Sequence, residues 1–137
     1  MGLKLQEIKS HAELAQLMPV FREAFTNPGA ALWPIFTADL PGASPLDKES
    51  TLAESTDRFW AWHEHDPSSH WLSVIDDSNG AIVGGGRWAL YEKRKGNPYD
   101  GHGVIEAEWF PIEGGKRAMG TALLNQFLGT SVRLMNR

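Results

Sequence analysis

Hydrophobic positions recur along this chain with two different periods, and the changes of period mark its elements. Leu3, Leu5 and Ile8 alternate loosely and predict a short first strand. Leu14, Leu17, Met18, Phe21 and Phe25 then fall at helical spacing, behind a Ser10-His11-Ala12-Glu13 stretch with the form of a capping box. Pro19 should kink or divide this helix, because it lacks a donor and crowds the preceding turn. Asn27-Pro28-Gly29 should stop it. Residues 27–49 are rich in Pro and Gly yet carry Trp33, Ile35, Phe36 and Leu40. They read either as a lid or binding loop, or as a loop packed over the edge of the core. A second helix is predicted over about 50–65, with Thr51 and Glu54 as a further capping box and Leu52, Phe59, Trp60 and His63 on one face. Asp66-Pro67 ends it.

A hairpin follows. Trp71, Ser73 and Ile75 alternate with His70, Leu72 and Val74, and a second β-rich run covers Ala81–Tyr91. Asn79-Gly80 between them has the residues for the two positive-φ positions of a tight turn. Gly84-Gly85-Gly86 lies within the second run, so it predicts a bulge or a close backbone approach rather than a phosphate loop. Residues 93–101 read as a loop. Val104–Phe110 alternates again and predicts another strand, with Ile105, Ala107 and Trp109 on one face and Glu106 and Glu108 on the other. Pro111 and Gly114-Gly115 break it. A last helix is predicted over about 116–135, with Met119, Leu123, Phe127 and Leu134 among its apolar residues. The expected fold class is α+β: one domain over residues 1–137, with a mostly antiparallel sheet of about four strands and helices packed against it.

Composition narrows the function classes. At 137 residues and 42% hydrophobic, the chain can bury a core of its own. Its net charge of −4 and single basic run, Lys93-Arg94-Lys95, argue against nucleic acid as a partner. The absence of cysteine removes disulfides, thiol nucleophiles and thiolate metal sites. The N-terminus has no apolar signal core, and no apolar run is long enough to span a membrane, so the expected location is cytoplasmic.

Candidate chemistry gathers at the end of the second helix. His63, His65 and His70 lie near Glu64 and Asp66. On a helix, residues 63 and 65 point about 200° apart, which argues against a shared metal ion, and none is expected. General acid/base work fits better: histidine titrates near neutrality, and a neighbouring carboxylate would orient its ring. His70, His63, His65, Asp66, Glu106 and Glu108 are the candidate catalytic residues. Against that reading, His63 or His65 could cap the last carbonyls of the helix, and Glu106 and Glu108 could be surface charges. Most of the six tryptophans should be core. Trp33, Phe36, Trp62, Trp71 and Trp88 are the candidate walls of a substrate pocket.

The order strand, helix, loop, helix, hairpin, strand resembles the N-terminal part of a GNAT-type N-acetyltransferase. FREAF at 21–25, HDPSSHWLSVID at 65–76, GAIVGGGRW at 80–88 and the carboxylate-rich strand after NPYDGHG resemble fungal members of that superfamily. The resemblance covers nearly the whole chain but about the first two-thirds of the family's domain, and so implies a truncated GNAT-like fold lacking its C-terminal part. It implies a degenerate enzyme of secondary metabolism that acts on an acyl or polyketide intermediate. Lactone or pyrone cyclisation, or thioester release, needs a base and oxyanion donors. The family binds acetyl-CoA through Arg/Gln-x-x-Gly-x-Gly/Ala, and Arg117-Ala118-Met119-Gly120-Thr121-Ala122 matches those letters. The match falls in the last helix, where backbone N–H groups are already bonded, so no cofactor is favoured. One rival is an acetyl-CoA-dependent N-acetyltransferase using Arg117, Gly120 and Ala122. The other is a non-catalytic binding or assembly protein. A sheet that stops early keeps an unpaired edge, which predicts a homodimer.

Overall fold

Helix α1 (His11–Thr26) lies across a three-stranded antiparallel sheet, and the remaining elements are placed by that contact. In the computed structural model, residues 2–26, 32–37, 45–92 and 104–128 are described. The other elements are β1 (Leu3–Glu7), α2 (Leu32–Thr37), α3 (Pro45–Glu64), β2 (Ser69–Asp76), β3 (Ile82–Ala89) and α4 (Lys116–Leu128). The sheet order is β1-β2-β3, with Leu5 opposite Val74, His70 opposite Trp88 and Trp71 opposite Arg87. The α+β class and the antiparallel sheet are therefore as expected. The expected fourth strand is absent among the described residues.

The start of α1 follows its sequence signal. Ser10 Oγ accepts from Glu13 N–H, and Glu13 Oε2 reaches back to Lys9 N–H at 2.8 Å. Pro19 does not divide the helix, which runs unbroken through it. Leu14, Leu17 and Met18 before it are buried, and Phe21 and Phe25 after it pack on the same cluster, so burial on both sides offsets one lost backbone bond. Trp71 stands at the centre of that cluster. Phe21 meets it edge-on at 5.6 Å, and Phe59 of α3 stacks on it at 6.1 Å.

The stretch expected to be a loop over 27–49 contains α2 and the first turns of α3, which begins at Pro45 rather than near residue 50. Proline at a helix start loses no bond that the helix needs. The Thr51 and Glu54 capping box does not form, because Thr51 lies inside the helix and its hydroxyl donates back to the Asp47 carbonyl. The hairpin loop is longer than the two-residue turn expected at Asn79-Gly80. Asp76 N–H bonds the Ala81 carbonyl at 2.9 Å, leaving Asp77–Gly80 between them. Asp76 Oδ1 accepts from the Ser78 N–H and hydroxyl, and Asn79 Oδ1 accepts from Ala81 N–H. These two side chains set the longer loop, with Gly80 at φ 72°.

Residues 104–110 do not join the sheet. Their backbone groups are taken by side chains of α4 instead. Asn125 accepts from Ile105 N–H at 2.8 Å and donates to the Ile105 carbonyl at 2.7 Å. Thr121 accepts from Ala107 N–H, and Arg117 donates to the carbonyls of Glu108 and Phe110. Ala107, Phe110 and Leu124 form a second buried cluster. The inward face of α4 is therefore Arg117, Gly120, Thr121, Leu124 and Asn125. Met119 and Leu123, named among the apolar residues of this helix, are 52% and 41% exposed. Residues 129–135 and the side chain of Phe127 lie outside the described residues.

The three glycines of β3 behave as both expected devices. The register shifts between Val74 and Ile75, and α1 approaches the sheet at Gly85. A Cβ there would stand 2.6 Å from the Leu72 carbonyl oxygen and 2.8 Å from Leu17. Gly85→Ala should lower the unfolding free energy by about 1–3 kcal/mol through overpacking. Gly84, with nothing within 4 Å of its Cβ position, should accept alanine with a change of about 0.5 kcal/mol or less. Urea denaturation of the two variants checks the contrast.

Candidate functional site

Ser69 and His70 are adjacent in β2, so their side chains leave on opposite faces of the sheet. Each meets a different group of partners. The three candidate histidines therefore do not form one site.

On the face turned away from the helices, His70 Nδ1 lies 3.2 Å from Glu7 Oε1 of β1. A carboxylate only accepts, so Nδ1–H is the donor of this contact, and in the neutral ring Nε2 keeps its lone pair. The carboxylate beside the His70 ring is thus Glu7, from the first strand. His70 stands across from Trp88 and two residues from Leu72 on the same strand face. Beside it runs a shallow groove of about 330 Å³ lined by Leu5, Leu72, Val74, Gly85, Gly86, Arg87 and Trp88. The glycines keep its floor low. Trp88 is 61% exposed, and its indole Nε1 lies 3.7 Å from the Cβ position of Gly86.

On the helix-facing side, the end of α3 delivers His63 to the start of β2. Its Nδ1 lies 2.8 Å from Ser69 Oγ, and its ring packs on Trp60 at 5.0 Å between centroids. Arg87 Nε–H donates to the same Ser69 Oγ at 3.0 Å, while Arg87 NH2 pairs with Asp66 Oδ2 at 2.7 Å. Asp66 also accepts from the Ser68 hydroxyl and N–H. The Ser68 hydroxyl is the main cause of a pKa below the ordinary aspartate value, and the Arg87 charge adds to it.

The other predicted residues are spread over the molecule. His65 donates its Nδ1–H to the Ala61 carbonyl at 2.8 Å, a cap on the last turn of α3. Glu106 and Glu108 are exposed, and among the described residues neither bonds a histidine. Trp33 and Trp71 are 4% and 6% exposed, core residues rather than pocket walls. Phe36 packs against the second cluster. Trp62 contacts Phe59 and Trp109, and all three surround the Arg58 guanidinium, which lies 4.7 Å from the Trp109 ring centroid. Burial lowers the Arg58 pKa to about 10, partly offset by Glu54, so it stays charged at neutral pH. Of the five aromatic residues proposed as walls, only Trp88 borders the groove.

The letters that match the acetyl-CoA pattern do structural work. Arg117 is bonded to two carbonyls of the 104–110 segment, and Gly120 leaves the space that the Phe110 ring occupies, where a Cβ would clash. Ala122 is exposed on the helix. Among the described residues no three metal-ligating side chains converge. Among those residues no helix is long and apolar enough to cross a membrane.

No family model, curated protein or solved structure matches the chain. Its function has to be read from its own geometry.

Sequence reasoning missed Ser69, Arg87 and Glu7. A serine inside a strand carries no signal until the fold sets a histidine beside it. The usable clue for Glu7 was the strand alternation that puts it on the same face as His70.

Asp66 links this site to stability. Its depressed pKa means that its contribution is present above the ordinary aspartate value of about 4 and is lost as pH falls through the folded-state value. Asp66→Asn should therefore melt below the wild type at neutral pH, and the gap should close as the pH is lowered beneath about 4. Thermal unfolding followed across a pH series checks the sign.

Proposed function

We propose that the chain is a degenerate GNAT-like protein that processes an acyl or polyketide intermediate, with His70 as general base and Glu7 as its orienting partner. The observation that carries this reading is the His70 Nδ1 to Glu7 Oε1 contact of 3.2 Å beside an apolar groove. Leu5, Leu72, Val74 and Trp88 would hold the apolar chain of the substrate. His70 Nε2 would remove the proton of an enol or of a water molecule, and the enolate or hydroxide would then close a lactone or pyrone ring or release a thioester. The Trp88 indole N–H is one donor for the developing oxyanion. The element order through residue 92, with its antiparallel hairpin and helices on one face, is what supports the GNAT-like part of the reading. The bonds that tie Arg117 to the 104–110 segment weigh against the acetyl-CoA rival.

The test uses a 3,5-dioxoacyl thioester of a short thiol, following pyrone absorbance and free thiol. His70→Ala should lower turnover by about a hundredfold or more, and Glu7→Gln should lower it less, with circular dichroism unchanged. A folded His70→Ala protein that turns over normally would sink this reading.

A second reading, self-association without catalysis, rests on a different observation. Leu3, Leu5, Val83 and Trp88 of the two outer strands are 71%, 68%, 52% and 61% exposed. Among the described residues β1 and β3 are both unpaired edges. A symmetric homodimer would cover this face or join two edges. Sedimentation at tens of micromolar should then show a dimer that Leu5→Lys shifts towards monomer. A monomeric wild type at that concentration removes the argument.

A further inference from the structure

We propose that Ser69 is a nucleophile activated by His63, on the face of β2 opposite to the His70 groove, and that it accepts acyl groups from small esters or thioesters. The inference is independent of the role given to His70.

The hydrogen-bond inventory carries it. Ser69 Oγ has one proton to give and two lone pairs. Arg87 has only donors, so its Nε–H occupies one lone pair at 3.0 Å. His63 Nδ1 lies 2.8 Å from the same oxygen, and in the tautomer this proposal assigns, with the ring proton on Nε2, Nδ1 accepts the hydroxyl proton. This is the arrangement in which a base can draw the proton from a hydroxyl as the oxygen attacks. The donor from Arg87 stabilises the negative charge that grows on Oγ. Asp66 at 2.7 Å holds the Arg87 fork and balances its charge, so Arg87 and Asp66 are positioning residues. Asp66 is itself held by Ser68. Three segments converge on the hydroxyl: the end of α3, the start of β2 and the far end of β3.

Access sets the class of substrate. Ser69 is 5% exposed, beneath a rim of His63, Asp66 and Arg87, each of which reaches solvent. The side chains of Asp66 and Arg87 are 36% and 37% exposed. A short acyl group on a good leaving group suits such an opening, whereas a bulky chain does not. In the step, Oγ bonds the acyl carbon, the bond to the thiolate or alkoxide leaving group breaks, and His63 passes the serine proton to that leaving group. Water then attacks the acyl-serine with His63 as base, giving the acid and restoring the hydroxyl.

A fluorophosphonate probe tests this directly, since attack by Oγ expels fluoride and leaves a stable adduct. Peptide mapping by mass spectrometry should place the adduct on Ser69. Its rate of formation should fall by about a hundredfold or more in His63→Ala, the usual worth of a positioned base. His11→Ala, which removes a histidine paired with Asp57 elsewhere, should label at the wild-type rate. Because the chain has no cysteine, Ser69→Cys creates its only thiol. That thiol should be alkylated by iodoacetamide well below the ordinary thiol pKa of about 8.5, and adding His63→Ala should restore the ordinary profile. Each of three results overturns the proposal: a folded wild type with Ser69 unlabelled, labelling indifferent to His63, or a Ser69→Cys thiol that titrates normally.

Discussion

The close approach of Leu17 to Gly85 is the contact on which the rest of this molecule depends. It brings α1 down onto the sheet at Gly85, the one of the three β3 glycines whose Cβ position meets Leu17. Trp71, on the neighbouring strand, is thereby enclosed between Phe21 of α1 and Phe59 of α3. Phe59 holds α3 against that tryptophan, and the end of the same helix brings His63 to Ser69. A glycine with no chemistry of its own thus determines the spacing of the groups that have some. Large aromatic area buried at one node is worth several kcal/mol, enough to outweigh the backbone bond lost at Pro19.

Local signals were legible where local physics decides. Ser10 and Glu13 announce the start of α1, and the glycine run announces a bulge and a close approach. Other signals pointed the wrong way because a competing partner won. The alternation of residues 104–110 has the pattern of a strand, but Asn125, Thr121 and Arg117 offer their backbone groups a helix surface instead of a neighbouring strand. Asn79-Gly80 suggests a two-residue turn, but the Asp76 carboxylate two residues before Ser78 organises a longer loop. Histidine clustering in sequence also misled, since the end of α3 and the pleat of β2 send His63, His65 and His70 in three directions. His70 kept its partner type but found it in β1, sixty-three residues away in the chain.

The segment from Val104 to Leu128 is organised differently from the sheet. Its hydrogen bonds between described residues span at most 20 residues, and its buried cluster draws on a helix and the strand-like stretch before it, with Phe36 of α2 packed against them. Contacts of short sequence separation form early and open together, the behaviour of a cooperative subunit of folding. The Trp62–Trp109 contact and the Arg58 cation are what join it to α3. That joint consists of aromatic faces around a charge rather than of interleaved aliphatic chains, so its strength depends on keeping the guanidinium out of water.

The bulge between Val74 and Ile75 has a consequence for the two faces of β2. Strand side chains repeat every second residue, so a slip of one position would turn Ser69 outward and His70 inward. Slippage would exchange their surroundings, bringing an imidazole beside His63 and Arg87 and setting a lone hydroxyl on open apolar surface. Flat, glycine-containing strands are prone to such errors. Here the extra residue in β3 admits one alignment with β2, and the insertion of Leu17 over Gly85 locks it. The irregularity in the ladder is therefore a device for keeping two chemical environments apart on neighbouring residues.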